Sequence, residues 1–127
     1  LDAIVGQPVA KMDVQAYVEC NSEFHDLIAG LAGSAVIRGE IERVTRLPFA
    51  GPSAIMNAQT DIPEFRKSLV IGQAHHRSIV DAIEMREGAR AEALTREHAR
   101  LARQNLAFVM NDERLMSKVP GLSLIAV

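Results

Sequence analysis

The stretch Asn21-Ser22-Glu23-Phe24-His25 decides how the chain is read. As a helix of about 3.6 residues per turn it stacks Asn21 and His25 on one face. Val14, Val18 and Ile28 fall in phase on that face, so an amide and an imidazole sit in an otherwise apolar stripe. Buried without partners, such groups cost roughly 1–3 kcal/mol each. His76 and His98 occupy similar settings further along the chain. The decisive matter is whether these four side chains meet.

Working outward, Asp13 is a suitable N-cap for a helix running to about Gly30. Its inward stripe takes in Val14, Tyr17, Val18, Asn21, Phe24, His25 and Ile28. Upstream, Gly6 and Pro8 interrupt any helix entering residues 1–12. Downstream, Gly30 and Gly33 break the chain and Ser34 caps a second helix to about Leu47. Ile37, Ile41 and Val44 line one side of it. Arg38, Glu42 and Arg46, spaced to pair at i,i+4, form a solvated face opposite.

Pro48 to Thr60 contains Pro48, Gly51 and Pro52 and reads as a loop. Asp61-Ile62-Pro63-Glu64 then supplies a capping acid, a first-turn proline and an acid three residues after the cap. The helix it starts extends to about Arg86, with Gly88 as the expected stop. Phe65, Leu69, Gly72, His76, Ile79 and Ile83 recur along it at threes and fours. A last long helix, about Ala89 to Met110, carries Leu94, His98, Leu101 and Asn105 in phase. In the tail, Pro120-Gly121 makes a turn, and the apolar end from Leu122 to Val127 is expected to fold back on the bundle. With no strand alternation and no internal repeat, the pattern specifies an all-α antiparallel helical bundle, a single domain over residues 1–127.

Composition narrows the function. The 127 residues suffice for one core, and 48% apolar with 24% charged residues is the balance of a globular chain. A net charge of −2 argues against wrapping nucleic acid with this chain alone. The single Cys20 excludes an internal disulfide, suggests a reducing compartment, and reads as a structural thiol beside Glu19. No apolar run reaches the ~18–20 residues of a membrane span, and no signal-peptide pattern is present. A chain opening on Leu1 rather than Met reads as a piece of a longer polypeptide.

The residues by themselves leave two readings of the histidines. They are either core polar groups satisfied by one another, by backbone or by water, or ligands of a metal held inside the bundle. Imidazole is the commonest side-chain ligand and bundle cores are a usual site. His75 should point about 100° away from His76 around the helix and is read as surface. No Glu stands three residues before a His, as a di-iron carboxylate bundle needs, and no metalloprotease, P-loop or dinucleotide motif occurs. Nothing assembles a nucleophile, a base and an oxyanion site.

Three motifs in order carry a family resemblance over roughly residues 12–110. The first is Asn21-x-x-Phe24-His25 with Leu27-Ile28 and the break Ala32-Gly33-Ser34. Then come His76-Arg77-Ser78-Ile79-Val80-Asp81-Ala82-Ile83 and Glu87-Gly88-Ala89-Arg90-Ala91-Glu92, with Arg96-Glu97-His98 closing the set. Together they resemble the FCD domain, the effector-binding C-terminal domain of FadR-type GntR transcription regulators. The resemblance implies a bundle holding one divalent ion through an acid and three histidines, here Asn21 in place of the acid with His25, His76 and His98. Loss of that carboxylate removes one negative charge, should weaken affinity, and leaves Zn, Ni or Mn compatible with the mixed donors.

The resemblance further implies a small organic acid as effector, a cytoplasmic homodimer, and DNA contact only through an N-terminal winged helix-turn-helix domain that this chain lacks. A first family helix is expected to precede residue 1. Arg43 and Arg46 are candidate contacts for an anionic effector. The resulting expectation is a non-enzymatic sensor and dimerisation domain of a transcription regulator. Two other readings stand beside it: a small metal-dependent hydrolase using a His-bound water, and a plain dimerisation module with structural histidines.

Overall fold

Asp13 ends an extended link and caps the helix that carries Asn21 and His25. Its Oδ1 accepts the backbone N–H of Ala16 at 3.0 Å, satisfying one of the free donors of a helix start. The computed structural model describes residues 1–47, 50, 51, 53, 55, 63–117, 119 and 122. In chain order the helices are α1 (Asp2–Val5), α2 (Val14–Leu31), α3 (Ala35–Thr45), α4 (Pro63–Glu84), α5 (Gly88–Met110) and α6 (Glu113–Met116), with a 3₁₀ turn at Val9–Lys11. Among the described residues there is no strand. The all-α bundle expected from the periodicity is the fold, and no described helix is long and apolar enough to cross a membrane.

Ser34 caps α3 as expected, its Oγ accepting from Ile37 N at 3.4 Å. The expected cap of α4 at Asp61 falls outside the described residues, as do Pro48, Pro52, the Pro120-Gly121 turn and residues 123–127. α6 was not foreseen. Asp112 starts it by accepting from Arg114 N at 2.9 Å.

The stop of α4 differs from the expectation. Gly88 is the first residue of α5, and the left-handed residue is Arg86, at φ 58°. Arg86 N bonds to Ile83 O at 3.0 Å and Glu87 N to Ala82 O at 2.8 Å, the paired bonds of a Schellman ending. Arg90 then ties the corner, donating to Asp81 and Glu87 at 2.8 and 2.7 Å. Only Met85–Glu87 separate α4 from α5, so the two pack as an antiparallel hairpin, the most extensive helix pair among the described residues.

α4 feeds both apolar cores. Leu69 packs with Met12, Val14 and Tyr17, joined by Leu1, Ile4, Val5 and Val18. Phe65 packs with Ile55, Val109, Val119 and Leu122. Between the hairpin helices, Asn105 Nδ2 donates to Ser68 Oγ at 3.1 Å, and Ser68 donates to Phe65 O at 2.8 Å. α3 behaves otherwise. Ile37, Ile41 and Val44, the expected apolar side, are 50%, 40% and 44% exposed, and α3 has no buried residue.

Candidate metal centre

His25 comes from the middle of α2, His76 from α4 and His98 from α5, and each lies on the stripe its helix turns inward. One ring nitrogen from each falls within 4.8 Å of the others. His76 Nε2 and His98 Nε2 are 3.1 Å apart. Nitrogens bound to a tetrahedral zinc at about 2.0–2.1 Å would stand about 3.3 Å apart, so this pair is already spaced as two ligands. The His25 ring stacks 5.4 Å from that of His98 and meets that of His76 edge-on at 5.3 Å. Phe24 closes against His76 at 4.3 Å between centroids.

Gly72, one turn before His76, faces Tyr17 and α5. A Cβ there would meet Tyr17 Oη at 3.5 Å, His98 Cε1 at 3.6 Å and Leu101 Cδ2 at 3.6 Å. These are ordinary contact distances, so an alanine would fit here and the packing of α5 does not depend on the glycine.

The polar inventory fits a cation better than a self-satisfied core. Among the described residues, the buried side-chain atoms without a hydrogen-bond partner are Asn21 Oδ1, His25 Nε2, His75 Nδ1 and His98 Nδ1. All are atoms that can present a lone pair. Asn21 is 3% exposed and uses its amide N–H to reach Ser53 Oγ at 3.1 Å, which leaves the carbonyl oxygen free. Burial pushes the His76 imidazole down to about 3, helped by repulsion from His98, His25 and His75. Burial likewise lowers His98 to about 4, with His25 and His75 adding to it. His25 is lowered by burial, with Asp26 opposing. At neutral pH the cluster is therefore uncharged, the protonation state a metal requires of imidazole.

His75 departs from the surface position expected of it. It is half-buried, and its ring packs edge-on 5.8 Å from His98, because α5 crosses close over this turn of α4. Gln73 was not singled out from the sequence and proves to be part of the site. Its Oε1 lies 3.1 Å from His76 Nδ1 and its Nε2 donates to Asp2 Oδ1 at 2.7 Å. Three residues before His76 and four after Leu69, it shares their face, and that spacing was the available signal.

A cavity of about 300 Å³ abuts the cluster, its walls including Asp2, Phe24, His76, Arg77, Asp81 and Glu84. Arg43 and Arg46 do not line it. Arg43 lies on α3 paired with Glu40 at 2.8 Å, and Arg46 is exposed at the C-terminal end of that helix. Compared with known families, the chain matches the model of the FCD domain over residues 3–101. No curated protein matches it.

Proposed function

The chain belongs to the FCD domain family, the C-terminal effector-binding domains of GntR-family regulators, and we propose that it senses a small organic acid through a divalent metal held by His25, His76 and His98. The observation that carries this reading is the convergence of three imidazoles from three helices, with His25 Nε2 and the Asn21 carbonyl buried and unpartnered. Asn21 is the fourth donor, a neutral oxygen where a carboxylate would bind more tightly. Zn, Ni and Mn all suit such a set. When bound, the ion supplies a Lewis-acidic centre with room for an anionic ligand.

The surrounding charges decide where an organic acid would be held. Among the described residues, the charged side chains on the cavity wall are Arg77 against Asp2, Asp81 and Glu84. Attraction of a carboxylate therefore falls to the metal, and effector binding should be lost when the metal is removed. Arg43 and Arg46, the cations expected to contact the effector, lie off this wall, and a double R43A/R46A variant tests whether they take any share.

In the whole regulator, which we take to be a homodimer reading DNA through an N-terminal domain, the effector acts only as far as it prefers one packing of the bundle. We read the function as binding rather than turnover, in keeping with the regulator family whose model the chain matches.

The test is the metal content of dialysed protein by elemental analysis, beside a His76→Ala variant prepared identically. Close to one ion per chain, falling to near zero in the variant, is expected. Calorimetry with a panel of small carboxylic acids should then show saturable binding of the unchanged acid, abolished by chelation. A wild type that takes up none of Zn, Ni or Mn overturns the reading. Turnover of esters or phosphoesters would replace it with the hydrolase.

A further inference from the structure

Gln73 sits between two groups whose hydrogen-bonding demands fix everything next to them. Asp2 Oδ1, 2.7 Å from Gln73 Nε2, is a carboxylate oxygen and only accepts. The Gln73 NH₂ must therefore face Asp2, which turns the carbonyl Oε1 toward His76. That oxygen also only accepts, so His76 Nδ1, 3.1 Å away, has to carry the ring proton. A neutral imidazole has one such proton. His76 Nε2 is left with its lone pair, directed to the point where His98 Nε2 stands 3.1 Å away. Asp2 is itself anchored by Arg77, which reaches Oδ1 through both Nε and Nη2 at 2.8 Å.

We propose that Asp2 and Gln73 form a positioning relay that holds His76 in the tautomer presenting Nε2 to the metal, and that the same relay couples α1 to occupancy of the site. The inference rests on the metal reading above and adds to it residues that touch no metal. A cation on Nε2 makes Nδ1–H a stronger donor, which tightens the bond to Gln73 and, through it, the hold on Asp2. By reciprocity, anything that docks α1 more firmly raises metal affinity by the same factor. α1 is a short helix against α2 and α4 with no fully buried residue. Ile4 and Val5 pack at the edge of the Leu69 core, and the Asp2–Gln73 bond adds to that packing the polar tether that leads to His76.

The experiment uses the full chain labelled with ¹⁵N-histidine. In the metal-free protein, long-range ¹H–¹⁵N correlation reads the His76 tautomer directly. The wild type should show Nδ1–H, as should Asp2→Asn, whose amide oxygen still accepts from Gln73 and Arg77. Gln73→Met and Asp2→Ala should show a mixture. Zinc affinity, measured against a competing chromophoric chelator, should fall about 10–100-fold in Gln73→Met, less in Asp2→Ala, and little in Asp2→Asn. Zinc should also slow exchange of the Val5 and Gly6 amides, which bond to Leu1 O and Asp2 O, in the wild type and not in Gln73→Met.

Because Asp2 is exposed, the Ala and Asn variants at that position keep the test alive should Gln73→Met fold poorly. An Nε2–H tautomer in the wild type overturns the relay, and so does equal zinc affinity in wild type and Gln73→Met. A wild type that binds no zinc overturns the metal reading itself and with it the relay's task.

Discussion

α3 and α4 are both amphipathic helices, yet the fold treats their apolar faces in opposite ways. In α4 the stripe is buried from Phe65 to Ile79, with Ile83 at its end exposed, and it carries polar groups as well: Ser68, Gln73 and His76 are all buried beside Phe65, Leu69 and Ile79. In α3 the stripe of Ile37, Ile41 and Val44 lies exposed. Periodicity reports that a face is apolar on one side. It does not report whether this chain supplies the cover. Of these two helices, only α4 has its face closed tightly enough to strip water from a titratable group, and His25 on α2 and His98 on α5 share that burial.

The sharpest way to break the contrast is to remove a side chain from each stripe. Leu69→Ala, at a position 1% exposed, should cost about 2–5 kcal/mol in urea denaturation. Ile41→Ala should stay within about 0.5 kcal/mol. Comparable losses would mean that the α3 face is covered in solution.

Acid should separate the two helices next. The folded-state pKa values of His76 and His98, about 3 and about 4, lie below the ordinary 6.5. The unfolded chain then binds protons that the folded chain refuses, so stability is full above pH 6.5 and drains away as pH falls from there toward about 3. Thermal midpoints across that window should slope downward on acidification, and His98→Gln should flatten the slope. α3, which has no histidine, should contribute nothing to it.

Smaller effects distinguish the helix ends. Ser34→Ala removes the α3 cap at a cost of about 1 kcal/mol. With α3 so little buried, the loss should appear as faster amide exchange at its first turn, leaving zinc affinity unchanged. Asp13→Ala costs about as much, but it loosens the helix that holds His25 and should weaken zinc binding too. Smallest is Arg86→Gly. It relieves a left-handed side-chain residue and should raise stability by up to about 1 kcal/mol, read as a shift in denaturation midpoint at constant slope.

Local rules made much of this legible in advance. Asp13 and Ser34 were readable as caps because the bond each makes lies within three residues. His25, His76 and His98 were readable as a group because each falls in phase with its own apolar stripe. Features set by contacts across the chain were not legible. Gln73 acquires meaning from Asp2, distant in sequence, and His75 is half-buried because α5 passes over it. Arg86 adopts the left-handed position two residues before the glycine that would fill it without strain, since the short corner between α4 and α5 leaves no room for a later ending. The exposure of α3 was likewise invisible, because amphipathicity looks the same with or without a cover.

The hairpin bears on how the molecule assembles in time. His76 and His98 are 22 residues apart, on helices joined by three residues, so their meeting is a local event of the kind that forms early. His25 arrives from beyond the long connection that follows α3, and its approach closes a much larger loop. The nascent domain should thus offer a metal two nitrogens first and the third only when α2 docks. The coordination spectrum of a cobalt substitute, followed in stopped flow, would serve as a clock for the last step of folding.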